Sequence, residues 1–335
     1  MAEKETKKPA NTTVSNLVAG LDINKLVKKA QESYSKKEFG LASQLATGKT
    51  LVRPSSEKDY VVWSNGSHWK KLTNLLGIPY GRIIQISGKP DSGKSTHAMG
   101  FMKDAQDQDC LVILWDAEKK FSAKRFDEKF GGNSENLIIV DTNNILNGSK
   151  AVAHFVNAAK EMNPKIKILI VWDSVGASLN SSEDSEEHED YSKQPGVTAK
   201  ENAYAIRKFN KLANKYRNRE TGEETIATLV VNQTYAAIGS VGQIEKGGGE
   251  IYYLSSVIIQ LSRKKDLNRV RQGEKYKYGI VSRAKVKKNH LFEGDECISE
   301  LDIVVSADGI HLAEEVKNFD DIKGWDDEEE SDGDE

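Results

Sequence analysis

Short apolar runs alternate with amphipathic stretches through the middle of this 335-residue chain. Arg82-Ile83-Ile84-Gln85-Ile86-Ser87 reads as a buried strand, and Thr96 to Ala105 as a helix. Cys110 to Trp115 is a strand ending at Asp116-Ala117-Glu118, Ala123 to Phe130 a helix, Leu137 to Val140 a strand and Lys150 to Met162 a helix. Ile166 to Trp172 is a strongly apolar strand that stops at Asp173-Ser174. Ala199 to Tyr216 is a helix, and Ala227 to Val231 a strand that stops at Asn232-Gln233. Strand and helix in alternation predict an α/β fold with a mainly parallel central sheet and helices on both faces. Ligands of such sheets gather at the carboxyl ends of the strands. Glu118, Asp173 and Gln233 all stand at such ends.

The flanks follow other patterns. Residues 1 to 14 are polar and read as disordered. From Val14 to Lys37, Leu17, Leu21, Ile23, Leu26 and Val27 recur at helical spacing, which predicts one or two short helices, and Gly40 to Glu57 reads as a linker. Val61-Val62-Trp63 is a short strand, and Trp69 to Leu76 a helix closed by Gly77. Past Ile251, Ser256 to Leu261, Lys277 to Val286 and Ser299 to Val305 read as antiparallel additions to the sheet. The expected organisation is a small N-terminal helical and linker region (1–60), a core (61–319) and a disordered acidic tail (320–335).

Between the first core strand and its helix lies Gly88-Lys89-Pro90-Asp91-Ser92-Gly93-Lys94-Ser95, which fits the phosphate-cradling pattern G-x-x-x-x-G-K-[ST]. Glycines let the backbone wrap an anion without a Cβ in the way. The amides of the turn and the dipole of the helix start both favour phosphate. Gly88, Asp91, Ser92, Gly93, Lys94, Ser95 and Thr96 are the candidate cradle. Lys94 is placed to reach the β- and γ-phosphates and Ser95 to hold Mg²⁺. The chain is expected to bind a nucleoside triphosphate.

Composition narrows the class. Charged residues make up 30% of the chain and no run of about 18 apolar residues occurs, so no membrane span is expected. The start carries no signal-peptide core. Cys110 and Cys297 sit in apolar runs and read as buried thiols of a reducing cytoplasm. Residues 320–335 hold ten Asp/Glu and one Lys, a net −9, so the other 319 residues carry +6 of the total −3. A basic body with an acidic tail suits a protein that meets nucleic acid. Nothing resembles a groove-reading helix, so sequence-specific DNA binding is not expected.

Several residues admit two readings from pattern alone. Asp173 either holds a metal-bound water or caps a turn. Glu118 either polarises a water near the γ-phosphate or caps the next helix, or pairs with Lys119 or Lys120. Gln233 either senses the γ-phosphate and reports to the glycine-rich stretch Thr234–Gly249, or is an ordinary turn residue. Arg263 to Lys288 carries eleven Lys/Arg and two acids: a phosphate-backbone patch, or solvated edge strands. Ser181 to Asp190, with six acids in ten residues, is a loop that repels DNA.

The order of these motifs resembles the RecA family of homologous-recombination strand-exchange ATPases. Leu76-Gly77-Ile78-Pro79-Tyr80-Gly81-Arg82-Ile83 leads to Gly88…Ser95, then Asp116-Ala117-Glu118, Ile170-Val171-Trp172-Asp173-Ser174-Val175, Val231-Asn232-Gln233 and a glycine-rich loop. Lys285-Val286-Lys287-Lys288-Asn289 is similar to the family's lysine-bearing strand at the subunit interface. The compact C-terminus and acidic tail resemble phage-type recombinases of the UvsX kind. The resemblance spans roughly residues 70 to 315. It departs at His290, where the family has a second lysine, and in the acidity of the first loop.

The resemblance implies a P-loop RecA-like core using ATP and Mg²⁺, a DNA-dependent ATPase releasing ADP and phosphate. Glu118 becomes the general base, Asp173 the Walker B carboxylate on the metal, and Gln233 the γ-phosphate sensor. Lys288 would act on a neighbouring subunit's nucleotide, and Phe126 or Arg125 would stack on adenine. Ser178 to Gly196 and Thr234 to Gly249 would be DNA-binding loops. The implied partners are single- and double-stranded DNA, further copies in a filament with the N-terminal helices docked on the next core, and mediator and single-strand-binding proteins, in the cytoplasm of a cell or phage host. The rival readings are a hexameric helicase on the same core and a nucleotide-binding mediator without exchange activity.

Overall fold

The structure is a computed structural model that describes residues 56–64, 68–181, 195–218, 221–236, 243–271, 273–292, 298–307, 309–313 and 316. The expected N-terminal helices, most of the linker, residues 182–194 of the first loop, 237–242 of the second, Cys297 and the acidic tail lie outside these residues. The chain divides into two compact units, Met1–Arg53 with Asn218–Glu223, and Pro54–Arg217 with Glu224–Glu335. Described residues of the first form a turn in which Gly222 N donates to Asn218 O at 2.9 Å. The second unit carries everything below.

Its described elements run β1 (Tyr60–Val62), α1 (His68–Thr73), β2 (Gly77–Pro79), β3 (Ile83–Gly88), α2 (Lys94–Asp107), β4 (Leu111–Asp116), α3 (Ala123–Phe130), β5 (Leu137–Val140), α4 (Ile145–Met162) and β6 (Ile168–Asp173). There follow α5 (Pro195–Lys215), β7 (Ile226–Ala236), β8 (Gln243–Glu245), α6 (Gly249–Leu254), β9 (Val257–Arg271), β10 (Glu274–Asn289), β11 (Glu300–Ser306) and β12 (Ile310–Leu312). The main sheet has the order β12-β11-β10-β9-β3-β7-β6-β4-β5, with β8 on the end of β7. From β9 through β3, β7, β6 and β4 to β5 every pairing is parallel, and β9 to β12 add on antiparallel. The α/β expectation holds, as do the antiparallel C-terminal additions.

Strands covered on both faces must be apolar throughout. β3 is buried at all six positions, and β6 at its first five. On one face α2, β1 and α1 pack Trp69, Phe101 and Met102 against Ile84, Ile86 and Leu229. On the other, α4 and α5 pack Val152, Val156 and Phe209 against Ile113, Ile170 and Val230. Within that second core Trp115 and Trp172 stack face to face, ring centres 4.4 Å apart and 9° from parallel, with Phe209 edge-on to both. Gly148 of α4 makes room: a Cβ there would lie 2.1 Å from the Trp115 ring.

Local signals set most boundaries. The Ser122 hydroxyl caps α3 by accepting from Arg125 N, and Gly131 ends it at φ 70. The Asn144 side chain caps α4 in the same way, starting that helix five residues before the apolar pattern does. One expectation is corrected. Gly77 does not close a helix; it opens β2 and pairs with Val62, where a Cβ would fall 1.9 Å from Val61 O. β9 and β10 are also far longer than their apolar stretches, at 15 and 16 residues, because the polar half is held by pairing with its partner strand.

Candidate nucleotide-binding site

Three strand ends and one residue inside a strand build the site: β3, β4 and β6 stop there, while β7 runs past its expected end at Gln233 to Ala236, held by pairing with β8. In register, Gly88 of β3 lies opposite Gln233 of β7, and Asp116 of β4 opposite Asp173 of β6. The loop from Gly88 to Gly93 curls back over its own strand. A Cβ at Gly88 would sit 2.4 Å from Leu261 O, so only glycine leaves β9 this close. Gly93 takes φ 96 as the residue that starts α2. Ser92 Oγ donates to Lys89 O (2.8 Å), and Ser282 Oγ of β10 donates to Ser92 O (3.0 Å), fixing the loop from both sides. The Ser92 side chain therefore serves the loop itself.

Lys94 is buried, with Nζ donating to Lys89 O at 2.6 Å. Burial pulls its pKa below the usual lysine range, against the opposing pull of Asp173, Glu118 and Asp91. Ser95 follows on α2 and is hydrogen-bonded to the half-buried Asp173. Burial, with the nearby charges of Glu118 and Asp116, pushes the Asp173 carboxyl up to about 6. A neighbouring cation would relieve that cost. A hydroxyl and a carboxylate at a helix start suit Mg²⁺, which takes hard oxygen donors and few protein ligands beside phosphate.

Glu118, beyond the end of β4, is held by three donors. Ser174 Oγ and Gln233 Nε2 both reach Oε1 at 2.5 Å, and Lys120 Nζ reaches Oε2 at 2.9 Å. Burial raises its pKa, but the three hydrogen bonds together outweigh that and hold it below the ordinary glutamate range. The carboxylate is thus ionised and aimed. Asp116 sets its position: the carboxylate accepts from Lys120 N (3.3 Å) and Phe121 N (2.9 Å), closing the turn that carries Glu118. The Asp173–Ser174 peptide is cis. Gln233 fits only because residue 176 is glycine; a Cβ there would lie 2.8 Å from the Gln233 side chain.

These groups surround a cavity of about 280 Å³ lined by Asp91 to Thr96, Asp116, Glu118 and Asp173 at its polar end and by Met99, Leu114, Phe121 and Arg125 beyond. Phe126 is a correction. Its ring is fully buried in the core beneath Gly132, so it offers no face to an adenine. The helix α3 turns it inward, while Phe121, one residue ahead of the Ser122 cap, lines the cavity. Arg125 lines it too, with Nη2 donating to Thr96 Oγ1 at 3.2 Å. The structure brings Gly93, Lys94, Ser95, Thr96, Asp173 and Glu118 onto one cavity, with Gln233 behind Glu118. Reasoning from sequence missed Asp116, Ser174 and Phe121. Asp116 and Ser174 stand within two residues of Glu118 and Asp173, and an acid or hydroxyl at a strand end was the available signal; Phe121 offered none.

The RecA N-terminal domain family matches residues 25–310. This chain belongs to the RecA family. Protein RecA of Cytophaga hutchinsonii is 27% identical over 248 residues, 72% of this chain and 64% of its own length. Protein RecA of Rippkaea orientalis is 27% identical over 244 residues, with the same shares. Protein RecA of Porphyromonas gingivalis is 28% identical over 259 residues, 76% of this chain and 68% of its own length. The chain thus spans just under two thirds of the first two relatives it matches.

Two further features of this RecA-family core bear on the site. Five of the eleven cations in this basic stretch of β9 and β10 have an ion-pair partner among the described residues, on β9 itself or on β11: Arg263 and Lys277 pair with Asp266, Lys264 with Asp302, Arg283 with Asp302 and Glu300, and Lys285 with Glu300. That favours the solvated-strand reading for these five residues. Lys288 lies level with Ile258, toward the opposite end of the sheet from Gly88, and donates to Tyr252 O (2.8 Å) and Tyr253 O (3.0 Å). Among the described residues no helix is long and apolar enough to cross a membrane.

Behind the phosphate loop two histidines are buried together. His97 Nδ1 contacts Gly93 O at 2.9 Å, and His68 packs edge-on against it at 5.3 Å. Burial holds His97 down to about 4 and His68, further opposed by His97 and His311, well below its ordinary value. Both are neutral in the fold. Depressed folded values mean that stability is full above pH 6.5 and drains away as pH falls toward 4. The His97 shift alone corresponds to about 3 kcal/mol. Urea unfolding of ligand-free protein at pH 7.5 and 4.5 should show His97→Leu losing less stability than wild type across that interval. Equal losses would count against a neutral, buried His97.

Proposed function

We propose that this chain is an ATP-dependent DNA recombinase that assembles as a helical filament on single-stranded DNA and promotes pairing and strand exchange with duplex DNA. What carries the reading is one shared atom: Oε1 of Glu118 accepts from both Ser174 and Gln233. Gln233 continues into the β7–β8 hairpin, where its carbonyl accepts from Lys246 N at 3.0 Å. A group that senses the end of a triphosphate is therefore one residue from the base of the glycine-rich segment.

In this reading the amides from Gly88 to Thr96, including those of Asp91, Ser92 and Gly93, cradle the phosphates and Lys94 reaches the terminal ones. Ser95 and Asp173 hold Mg²⁺, which when bound offsets charge on the β- and γ-phosphate oxygens. Glu118 orients the attacking water and accepts its proton. Loss of the γ-phosphate leaves Gln233 with Glu118 and Ser174 and loosens the segment Thr234–Gly249 on its DNA. Lys288 acts on a neighbouring copy's nucleotide, after release from the Tyr252 and Tyr253 carbonyls. The acidic segment 320–335 supports the finer placement among phage-type recombinases and restrains duplex capture; mediator and single-strand-binding proteins complete the expected partners.

The test is to mix protein, ATP and single-stranded DNA and to record ATPase rate and negative-stain morphology together. The proposal expects DNA-stimulated hydrolysis and open helical filaments. Closed rings that unwind a fork would replace it with a helicase. ATP binding without DNA-stimulated hydrolysis would replace it with a mediator.

A further inference from the structure

The first turns of α5 seat the feet of both candidate DNA-binding loops. Asn180 Nδ2 donates to Thr198 Oγ1 at 2.7 Å, and Ser181 donates to Glu201 through its backbone N (3.1 Å) and its hydroxyl (2.5 Å). That fixes the point where the first loop departs. The return of the second loop rests on the same turns. A Cβ on Gly248 would lie 3.0 Å from the Ala199 Cβ, and one on Gly247 3.2 Å from Asn202 Nδ2. Both glycines have positive φ, 96 at Gly247 and 87 at Gly248.

Asn202 sits between these feet, fully buried. Neither its amide nitrogen nor its carbonyl oxygen has a hydrogen-bond partner among the described residues. A carboxamide brings two N–H donors and an acceptor. Buried and unpaired, it bears the desolvation cost of each, a cost that an apolar residue of similar size would not carry. Val175 and Ile251, the other neighbours of Gly247, are apolar. Gly247 lies against the carboxamide, and no Cβ stands between its backbone and Asn202 Nδ2.

We propose that Asn202 is a positioning residue that hydrogen-bonds the Gly247–Gly249 backbone in one of two arrangements of that arc, and so links the affinity of the second loop for a DNA strand to the nucleotide. The inference rests on the reading of Thr234–Gly249 as a strand-binding segment. The linkage is short. Lys246, just before the arc, is clamped to β7 twice: its N donates to Gln233 O (3.0 Å), and its O accepts from Asn232 Nδ2 (2.8 Å). A shift of Gln233 on phosphate therefore drags Lys246, and with it Gly247 past Asn202. Because Glu201, the preceding residue, grips Ser181, the same turn informs the first loop.

The experiment measures single-stranded oligonucleotide affinity of the full chain by fluorescence anisotropy, with a non-hydrolysable ATP analogue and with ADP, in wild type and Asn202→Leu. Nucleotide affinity and melting temperature are measured beside it. The proposal expects Asn202→Leu to keep nucleotide affinity, to melt no lower than wild type, and to lose about tenfold of the analogue-to-ADP affinity ratio, the worth of one hydrogen bond to a buried polar group. An unchanged ratio with a higher melting temperature overturns it, since Asn202 would then be a passive defect, hydrated alike in both states. Where the leucine variant does not fold, Asn202→Ala and hydrogen exchange decide. The analogue should slow exchange at Gly247–Gly249 in wild type and not in the variant; equal slowing overturns the proposal. Wild-type protein whose strand affinity ignores nucleotide removes the parent reading and this one with it, a failure visible before any variant is made.

Discussion

Glu118→Gln should bind ATP and single-stranded DNA as wild type does and hydrolyse ATP roughly 10²- to 10⁴-fold more slowly, the usual share of a positioned general base. The reasoning is geometric. The glutamine carbonyl can still accept from Ser174 Oγ and Gln233 Nε2, so the strand ends stay in place. What disappears is the negative charge that these donors and Lys120 hold ionised. Filaments formed by the variant in ATP should outlast those of wild type. Single-turnover phosphate release is the measurement. A normal rate would place the base elsewhere on the cavity wall, with Asp173 or Asp116 the next carboxylates to examine.

Lys94→Ala should lose nucleotide affinity by about 2–5 kcal/mol, roughly 30- to 5,000-fold, as expected when one partner of a buried charged contact is truncated. In the ligand-free chain the ammonium is buried and donates to the Lys89 carbonyl, and burial already disfavours its charge. Removing it should therefore leave the melting temperature level or higher. Calorimetric titration with a non-hydrolysable ATP analogue, run beside thermal unfolding, separates the two effects. Near-normal affinity in a folded variant would mean that the cradle's amides and the helix start bind the triphosphate without the lysine.

Much of this was legible in the residues, and the limits have physical causes. The strands β3, β4 and β6 announced themselves because both faces are buried, and the residues ending them had to be polar. The phosphate loop was legible because its glycines answer to steric demands, such as Leu261 O beside Gly88. Family membership followed from the order of such strand ends. Contacts through space were not legible. Ser174 gains its role from Glu118, 56 residues away in the chain, and no spacing along the chain encodes that. Phe126 was misread because distance after Glu118 says nothing of which way α3 turns its ring. The polar halves of β9 and β10 were missed because pairing and ion pairs, not apolar residues, keep them extended.

The two stacked tryptophans have a practical consequence. Trp115 directly precedes Asp116, and Trp172 directly precedes Asp173, so each indole is bonded through one peptide to a carboxylate at the cavity. Their nitrogens are anchored separately, to Thr142 O at 2.6 Å and to Ser178 Oγ at 3.0 Å. Parallel chromophores this close exchange excitation, and the sign and size of the resulting circular-dichroism couplet depend on their mutual angle. The chain therefore carries an unlabelled optical gauge of the angle between its two acidic strand ends, readable with and without added nucleotide.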